Sequence, residues 1–397
     1  MVKATYVPAI GEQFNSVFNR GLKYKGKDGK EYDMKFFTKD SHFEMPIALQ
    51  SVYYAQNGVG KRAKINFRDM IGYPKDKILI FDSGGFQIAS FKKRGEVCNL
   101  TPIDSLRFQE ENCDVGMNLD IPPNLDGNPT HEEFMKALNE SVENFKLFER
   151  ERKNYQMKLL NVVHGETMPL ITEWYNAVKH FKFDGYAVGM KPPFDPMLQA
   201  FGFMFLWEQG EFNKETFKHL HFFGTSGKHV VPTIVYAAHK LMQKDITVTY
   251  DSSSYNIGSI YRTYYLPFDV GPHLSFGDKF KENNPHIKEL PCKCPVCLSI
   301  TNISELNGGD IYAGTLISLH NLYQYWYYND VLCSLVHDKV LFLDYLNKVN
   351  ISEKTLKSIE FIDYVLEKGL ANAVDKYKND LIPQELNKSK QATIWGF

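Results

Sequence analysis

Lys77-Ile-Leu-Ile-Phe-Asp82-Ser-Gly-Gly-Phe-Gln87 reads as a short buried strand that stops at a carboxylate and gives way to small, flexible residues. Ile246-Thr-Val-Thr-Tyr-Asp251-Ser-Ser-Ser-Tyr255 repeats the design far along the chain. A hydrophobic strand ending in a polar group is the placement expected of an active-site residue at the mouth of a (β/α)8 barrel. Working outward, similar runs lie at 113–120, 157–164, 184–190 and 219–224, each with a polar or glycine residue at its end or, at Gly189, one position before it. Between them are segments with helical periodicity and charged faces, such as Glu132–Asn154 and Val230–Lys244. Strand then helix, repeated, predicts an α/β fold with a parallel sheet. Weaker strands near Met45–Leu49 and before Asp69 are expected to complete eight. An open doubly wound sheet would want a glycine-rich phosphate turn after its first strand, and Gly84-Gly85 is too short to be one.

The pattern stops after Asp251, and the expected organisation has three parts. Residues 1–284 form the (β/α)8 TIM barrel with an irregular N-terminal region, including a hairpin or loop at Tyr24–Lys30. Residues 285–325 form an appended metal-binding segment, and 326–397 a helical C-terminal region. The chain has 397 residues and 43% hydrophobic content, enough for a large core. Its 46 Lys plus Arg against 47 Asp plus Glu give no global positive field, so a polynucleotide would have to meet a local basic face. No apolar run approaches the ~18 residues that span a bilayer, and the start lacks a signal-peptide pattern, so a cytoplasmic protein without membrane partners is expected.

Three of the six cysteines crowd into Cys292-Lys-Cys294-Pro-Val-Cys297, and His320 follows after 22 intervening residues. Three thiolates and one imidazole make the closed set of a structural tetrahedral zinc, although His286 and His337 are also within reach as the fourth ligand. At the barrel mouth, Asp82 and Asp251 on different strand ends can flank an anomeric carbon, one attacking the sugar while the other manages the proton. The bland alternative is that each simply makes turn or capping hydrogen bonds. Asp120, before Ile-Pro-Pro, ends another strand; its acceptor-only carboxylate suits the N–H groups of a guanine edge or a lysine. Phe86, Phe222 and Phe223 could sandwich a planar base or belong to the core. His164, in Val-Val-His-Gly-Glu, could donate to a carbonyl oxygen or be satisfied locally.

Together these residues resemble the tRNA-guanine transglycosylase superfamily, zinc-containing barrel enzymes that exchange a guanine in a polynucleotide for a free 7-deazaguanine base. The resemblance runs from about Lys77 to Tyr323. Asp82-Ser-Gly-Gly-Phe-Gln87 matches the family's Asp-Ser-Gly-Gly-Phe/Tyr-Gln, which implies Asp82 as general acid/base, Ser83 touching the base and Phe86 stacking on it. Asp120 falls where the family reads the base. Tyr186-Ala-Val-Gly189 implies backbone contact to the base oxygen at Gly189, and Phe223 falls where a second apolar side chain covers the base. Asp251 falls at the nucleophile, and Cys292, Cys294, Cys297 and His320 at the structural Zn2+ ligands.

The sequence departs from the family at two places. Val-His164-Gly165 stands where the family has Val-Gln-Gly, so the donor to the base oxygen is changed. Asp251 is followed by Ser-Ser-Ser-Tyr-Asn, closer to the archaeal Asp-Ser-Ala-x-Tyr than to the bacterial arginine-bearing loop. The resemblance, set against 397 residues, leads to the expectation that the archaeal C-terminal RNA-binding domains have no counterpart here. The resemblance therefore points to the DNA-guanine transglycosylase branch of bacterial modification islands and phages, with DNA and a free base such as 7-cyano-7-deazaguanine as partners. The alternatives are the same chemistry on tRNA, or an idle polynucleotide-binding paralogue; a homodimer or partner protein stays open.

Overall fold

The computed structural model describes residues 4–382 except 60–65, 124–128, 242–244, 269–272, 278 and 285. Eight parallel strands form one sheet: β1 (Ala4–Pro8), β2 (Ile47–Ser51), β3 (Ile78–Asp82), β4 (Val115–Met117), β5 (Lys158–Val163), β6 (Gly185–Val188), β7 (His219–Phe222) and β8 (Thr247–Ser252). Neighbours pair in chain order from β2 to β8, and β1 pairs with β8, Val7 opposite Asp251. A parallel bridge from Ala9 to Leu49, with Ile10 N–H donating to Leu49 O at 2.7 Å, joins the two edges. This is the (β/α)8 barrel expected from the strand–helix rhythm.

The eighth strand is not where the sequence placed it. Of the segment expected before Asp69, residues 60–65 lie outside the described residues and Phe67–Ile71 is a helix, capped by the Asn66 side chain accepting from Arg68 N–H. β1 fills the vacancy. Its five residues are too few to carry periodicity, and it is held by partners far along the chain: β8, the Tyr6 hydroxyl on Ser252 O at 3.2 Å, and the Tyr6 ring stacked on Tyr325.

The helices follow from their caps. His131–Glu151 starts with a reciprocal capping box between Thr130 and Glu133. Pro102–Asn112 begins under Thr101, whose hydroxyl accepts from Asp104 N–H. Pro196–Glu208 is capped by Asp195 and buried almost all round, because it lies between the barrel and the helix Glu353–Lys368. Phe203 stacks on Phe222 of β7 at 5.6 Å, so Phe222 is core; burying such a ring contributes ~1.5–3 kcal/mol. The segment 230–244 is helical over Val231–Leu241, and Lys23–Lys25 with Glu31–Asp33 forms the N-terminal hairpin.

After the barrel come the helices Ile311–Leu335, Lys339–Lys348, Glu353–Lys368 and Leu370–Lys376; residues 383–397 of the expected helical region lie outside the described residues. One apolar cluster runs from Ala4 to Tyr377. Polar ties stitch the added helices to the barrel: Tyr250 O–H donates to Asn329 at 2.7 Å, and Tyr236 O–H to Asp363 at 2.8 Å. No helix among the described residues is long and apolar enough to cross a membrane.

Candidate active site and metal centre

The C-terminal strand ends gather Asp82, Asp120, His164, Gly189, Phe223 and Asp251 around one mouth. Along the barrel wall, Asp82 and Asp251 are separated by β2 and β1, three interstrand steps of ~4.8 Å. The register places Asp82 opposite Ser51 and Asp251 opposite Val7.

The Asp82 carboxyl is pushed up to about 7, first by burial, then by the charges of Asp120 and Asp251; the Gly84 N–H and the Ser51 hydroxyl oppose the shift. It therefore holds a proton near neutrality, as a general acid requires. Ser83 Oγ is fully buried and finds no hydrogen-bond partner among the described residues. Such an orphan costs stability unless a ligand completes it. Gly84, at φ 89°, turns the chain into the helix Gly85–Lys93. Gly85 permits a close approach: a Cβ there would lie 1.8 Å from the Asp120 carbonyl oxygen.

Asp120 and His164 form a buried pair, His164 Nε2 lying 2.7 Å from Asp120 Oδ2. The other ring nitrogen, Nδ1, is 2.8 Å from Gly189 O and must carry its proton there, since a carbonyl only accepts. Three strand ends, those of β4, β5 and β6, are thereby tied together, and both nitrogens of His164 are engaged within the protein. Gly189 is obligatory in this arrangement because a Cβ would lie 2.3 Å from the His164 ring.

Asp251 is buried, and both donors that hold it meet the same oxygen: Gly224 N–H at 2.9 Å and His221 Nε2 at 3.2 Å, each on Oδ1. Phe86 is 41% exposed at the rim, its ring open to a ligand, with Lys191 Nζ 5.3 Å from its centroid. Phe223 packs edge-on against His221 at 5.2 Å.

Three features here had no role assigned from sequence. Glu166 accepts from Lys191 N–H at 3.1 Å, and burial raises its carboxyl. Burial lowers the Lys191 ammonium, while Glu166 and Asp120 pull it back up, leaving a cation among acids. Inside the barrel, His219 and His221 lie beside Thr249. The signal was available in His219-Leu-His221 and Thr247-Val-Thr249-Tyr-Asp251, because alternation puts both histidines on one face of their strand and both threonines on the face of Asp251.

The cysteine cluster is built from other elements, the segment around the short helix Pro295–Ser299 and the helix Ile311–Leu335. The ligand atoms of Cys292, Cys294, Cys297 and His320 all fall within 4.8 Å of one another, and Cys294, Cys297 and His320 are buried. His320 Nδ1 lies 3.3 and 3.2 Å from Cys294 Sγ and Cys297 Sγ. Its Nε2–H donates to Tyr265 O at 2.7 Å, which leaves the Nδ1 lone pair aimed at the thiols. Tyr264 stacks on the imidazole at 3.6 Å and its hydroxyl is 3.0 Å from Cys297 Sγ. Four soft and borderline donors converging on one point fit a metal ion with a closed shell.

A family model described as "Queuine tRNA-ribosyltransferase" matches residues 31–199, which include Asp82 through Gly189. The "tRNA-guanine(15) transglycosylase" of Methanocaldococcus jannaschii is 27% identical over 265 residues, covering 64% of this chain. The chain spans about a third of that relative's length, 36%. A closed barrel, carboxylates at the ends of β3 and β8 and a Cys3His cluster accompany these likenesses, which together support a relationship to the tRNA-guanine transglycosylase superfamily.

Proposed function

We propose that this protein is a pentosyltransferase that replaces guanine in a polynucleotide by a free 7-deazaguanine base, such as 7-cyano-7-deazaguanine, through a covalent Asp251–sugar ester. The observation that carries the reading is the division of labour between two carboxylates in one mouth. Asp82 is raised to about 7 and can give and take a proton, whereas Asp251 has one oxygen pinned by two donors and the other without a donor among the described residues. Environments that separate two carboxylates in this way assign acid and nucleophile.

The target nucleotide is extruded into the mouth, since neither carboxylate reaches C1′ within a stacked helix. Asp251 attacks C1′, the C1′–N9 bond breaks with its electron pair going to guanine, and Asp82 supplies the proton. The incoming base loses its N9 proton to Asp82 and displaces Asp251 from C1′. Two inversions retain configuration, and the exchange needs no ATP or redox cofactor. Ser83, Phe86, Asp120, Gly189 and Phe223 hold the base, with His164 fixing Asp120 and Gly189. Cys292, Cys294, Cys297 and His320 hold Zn2+, which when bound supplies a structural crosslink.

DNA is the polynucleotide we favour. Asp251 leads into a tight serine turn, Ser254 N–H donating to Ser252 Oγ at 2.8 Å, and then directly into the helix Ser254–Ile260, with no arginine-bearing loop there to read an anticodon. tRNA is the second reading, favoured by the description of the matching family model and the name of the similar archaeal protein. The test is incubation with 7-cyano-7-deazaguanine and either guanine-containing DNA or unmodified tRNA, followed by nucleoside mass spectrometry. Deazapurine in DNA alone supports the first reading, in tRNA alone the second; in neither, the transglycosylase assignment falls.

A further inference from the structure

We infer that His221, oriented from below by Thr249 and His219, is the positioning residue that makes Asp251 a one-sided nucleophile. This inference rests on the transglycosylase reading.

The interior of a parallel eight-stranded barrel is ordinarily filled by Val, Ile and Leu. Here the β7–β8 seam instead carries a column of buried polar groups. His219 Nε2 is 2.6 Å from Thr249 Oγ1, Thr249 Oγ1 is 2.8 Å from His221 Nδ1, and His221 Nε2 is 3.2 Å from Asp251 Oδ1. All three residues below Asp251 are fully or almost fully buried. Placing two imidazoles and a hydroxyl in an apolar core is costly unless each is satisfied by a partner, so the column has to be accounted for by what it does.

The column has a direction. A carboxylate accepts, so His221 donates from Nε2. Using each donor and acceptor once, Thr249 O–H then donates to His221 Nδ1, and His219 Nε2–H donates to Thr249 Oγ1. This arrangement selects the His221 tautomer with its proton on Nε2, the role an orienting group plays for a catalytic histidine in hydrolytic triads. The consequence appears at Asp251. Its Oδ1 accepts from both His221 and the Gly224 N–H, which fixes the carboxylate plane and leaves Oδ2 as the oxygen that bonds C1′. Once the ester forms, Oδ1 is the carbonyl oxygen, and the same two donors hold it still while the second base attacks. The register sets this up, since Thr249 pairs with His221 and Thr247 with His219 across the two strands.

The experiment is single-turnover covalent trapping on guanine-containing oligonucleotide, alongside steady-state exchange, for wild type, His221→Phe, His221→Gln, Thr249→Val and Thr249→Ser. A nucleophile free to rotate loses reactivity rather than substrate binding, so His221→Phe is expected to lower the trapping rate and kcat by roughly 10- to 100-fold. KM for the free base should stay within about twofold. Gln restores a donor and should recover part of the loss. Thr249→Val should lose less than His221→Phe, and Thr249→Ser should recover it. Trapping by His221→Phe at the wild-type rate, or a loss wholly in KM, overturns the inference while leaving the transglycosylase reading intact. Wild type that neither traps nor exchanges overturns that reading and this inference with it. Should His221→Phe not fold, nitrogen NMR of the wild-type protein decides: an Nε2-protonated His221 whose signal moves in Asp251→Asn is expected, and an Nδ1-protonated ring overturns the proposal.

Discussion

His164 Nε2 and Asp120 Oδ2 lie 2.7 Å apart in a buried pair, and because His164 Nδ1 already donates to Gly189 O, one proton must lie between the ring and the carboxylate. His164 therefore acts on a bound base through Asp120 and Gly189 rather than by reaching it with a free nitrogen. His164→Ala would leave Asp120 buried with its hydrogen bond lost, at about 1–3 kcal/mol. We expect free-base affinity to fall roughly 10- to 100-fold, measured by calorimetric titration with 7-cyano-7-deazaguanine. His164→Gln keeps an N–H for Asp120 and should lose less; equal losses for both variants would show that the pair is not what matters.

Asp251→Asn should abolish covalent trapping. An amide is not a nucleophile towards C1′, yet it is nearly isosteric and can still accept from His221 and Gly224 through its oxygen. A gel-shift assay under denaturing conditions reads the trapped species directly. A trapped yield equal to that of wild type would remove Asp251 from the mechanism.

The raised Asp82 carboxyl has consequences for both rate and stability. Below about pH 7 it is protonated, so single-turnover loss of guanine should be constant on the acid side and fall about tenfold per pH unit above it. For stability, the folded value of about 7 exceeds the ordinary 3.8, so the folded state binds this proton more tightly. Its contribution is present in full at low pH and is lost as pH rises through 7. Asp82→Asn should therefore stabilise the protein at pH 8 by up to about 4 kcal/mol, at the usual 1.4 kcal/mol per pH unit, and change little at pH 4. Paired urea melts at the two pH values test the sign.

Removing the metal should loosen the Cys292–His320 segment and the start of the helix Ile311–Leu335 before the barrel. The ligands come from two separated stretches, and closed structural sites contribute several kcal/mol to folding. Hydrogen exchange after chelation should show protection lost there first. A metal-free protein that stays fully protected but loses exchange activity would point to a catalytic ion instead.

Gly85→Ala should disable the site without touching a functional side chain. The added methyl would lie 1.8 Å from the Asp120 carbonyl oxygen, so the backbone must move. We expect a stability loss of about 1–3 kcal/mol with base binding strongly weakened, read by thermal melts and titration. Gly210→Ala serves as the control for added bulk, since its Cβ meets nothing within 4 Å, although its φ of 73° adds local strain.

What the sequence alone determined was local. A strand ending in Asp-Ser-Gly-Gly-Phe, another ending in Asp-Ser-Ser-Ser and three cysteines within six residues each declare their chemistry over a few positions, because alternation and turn chemistry act between near neighbours. Only the tertiary structure decided the rest. Barrel closure uses β1, whose pairing with β8 joins chain segments more than two hundred residues apart. His320 meets the cysteines because its helix packs beside Tyr264 and Tyr265. The tie from His164 to Asp120 and the column from His219 to Asp251 depend on interstrand register, which is set by packing between distant segments; alternation within one strand tells only which of its residues share a face.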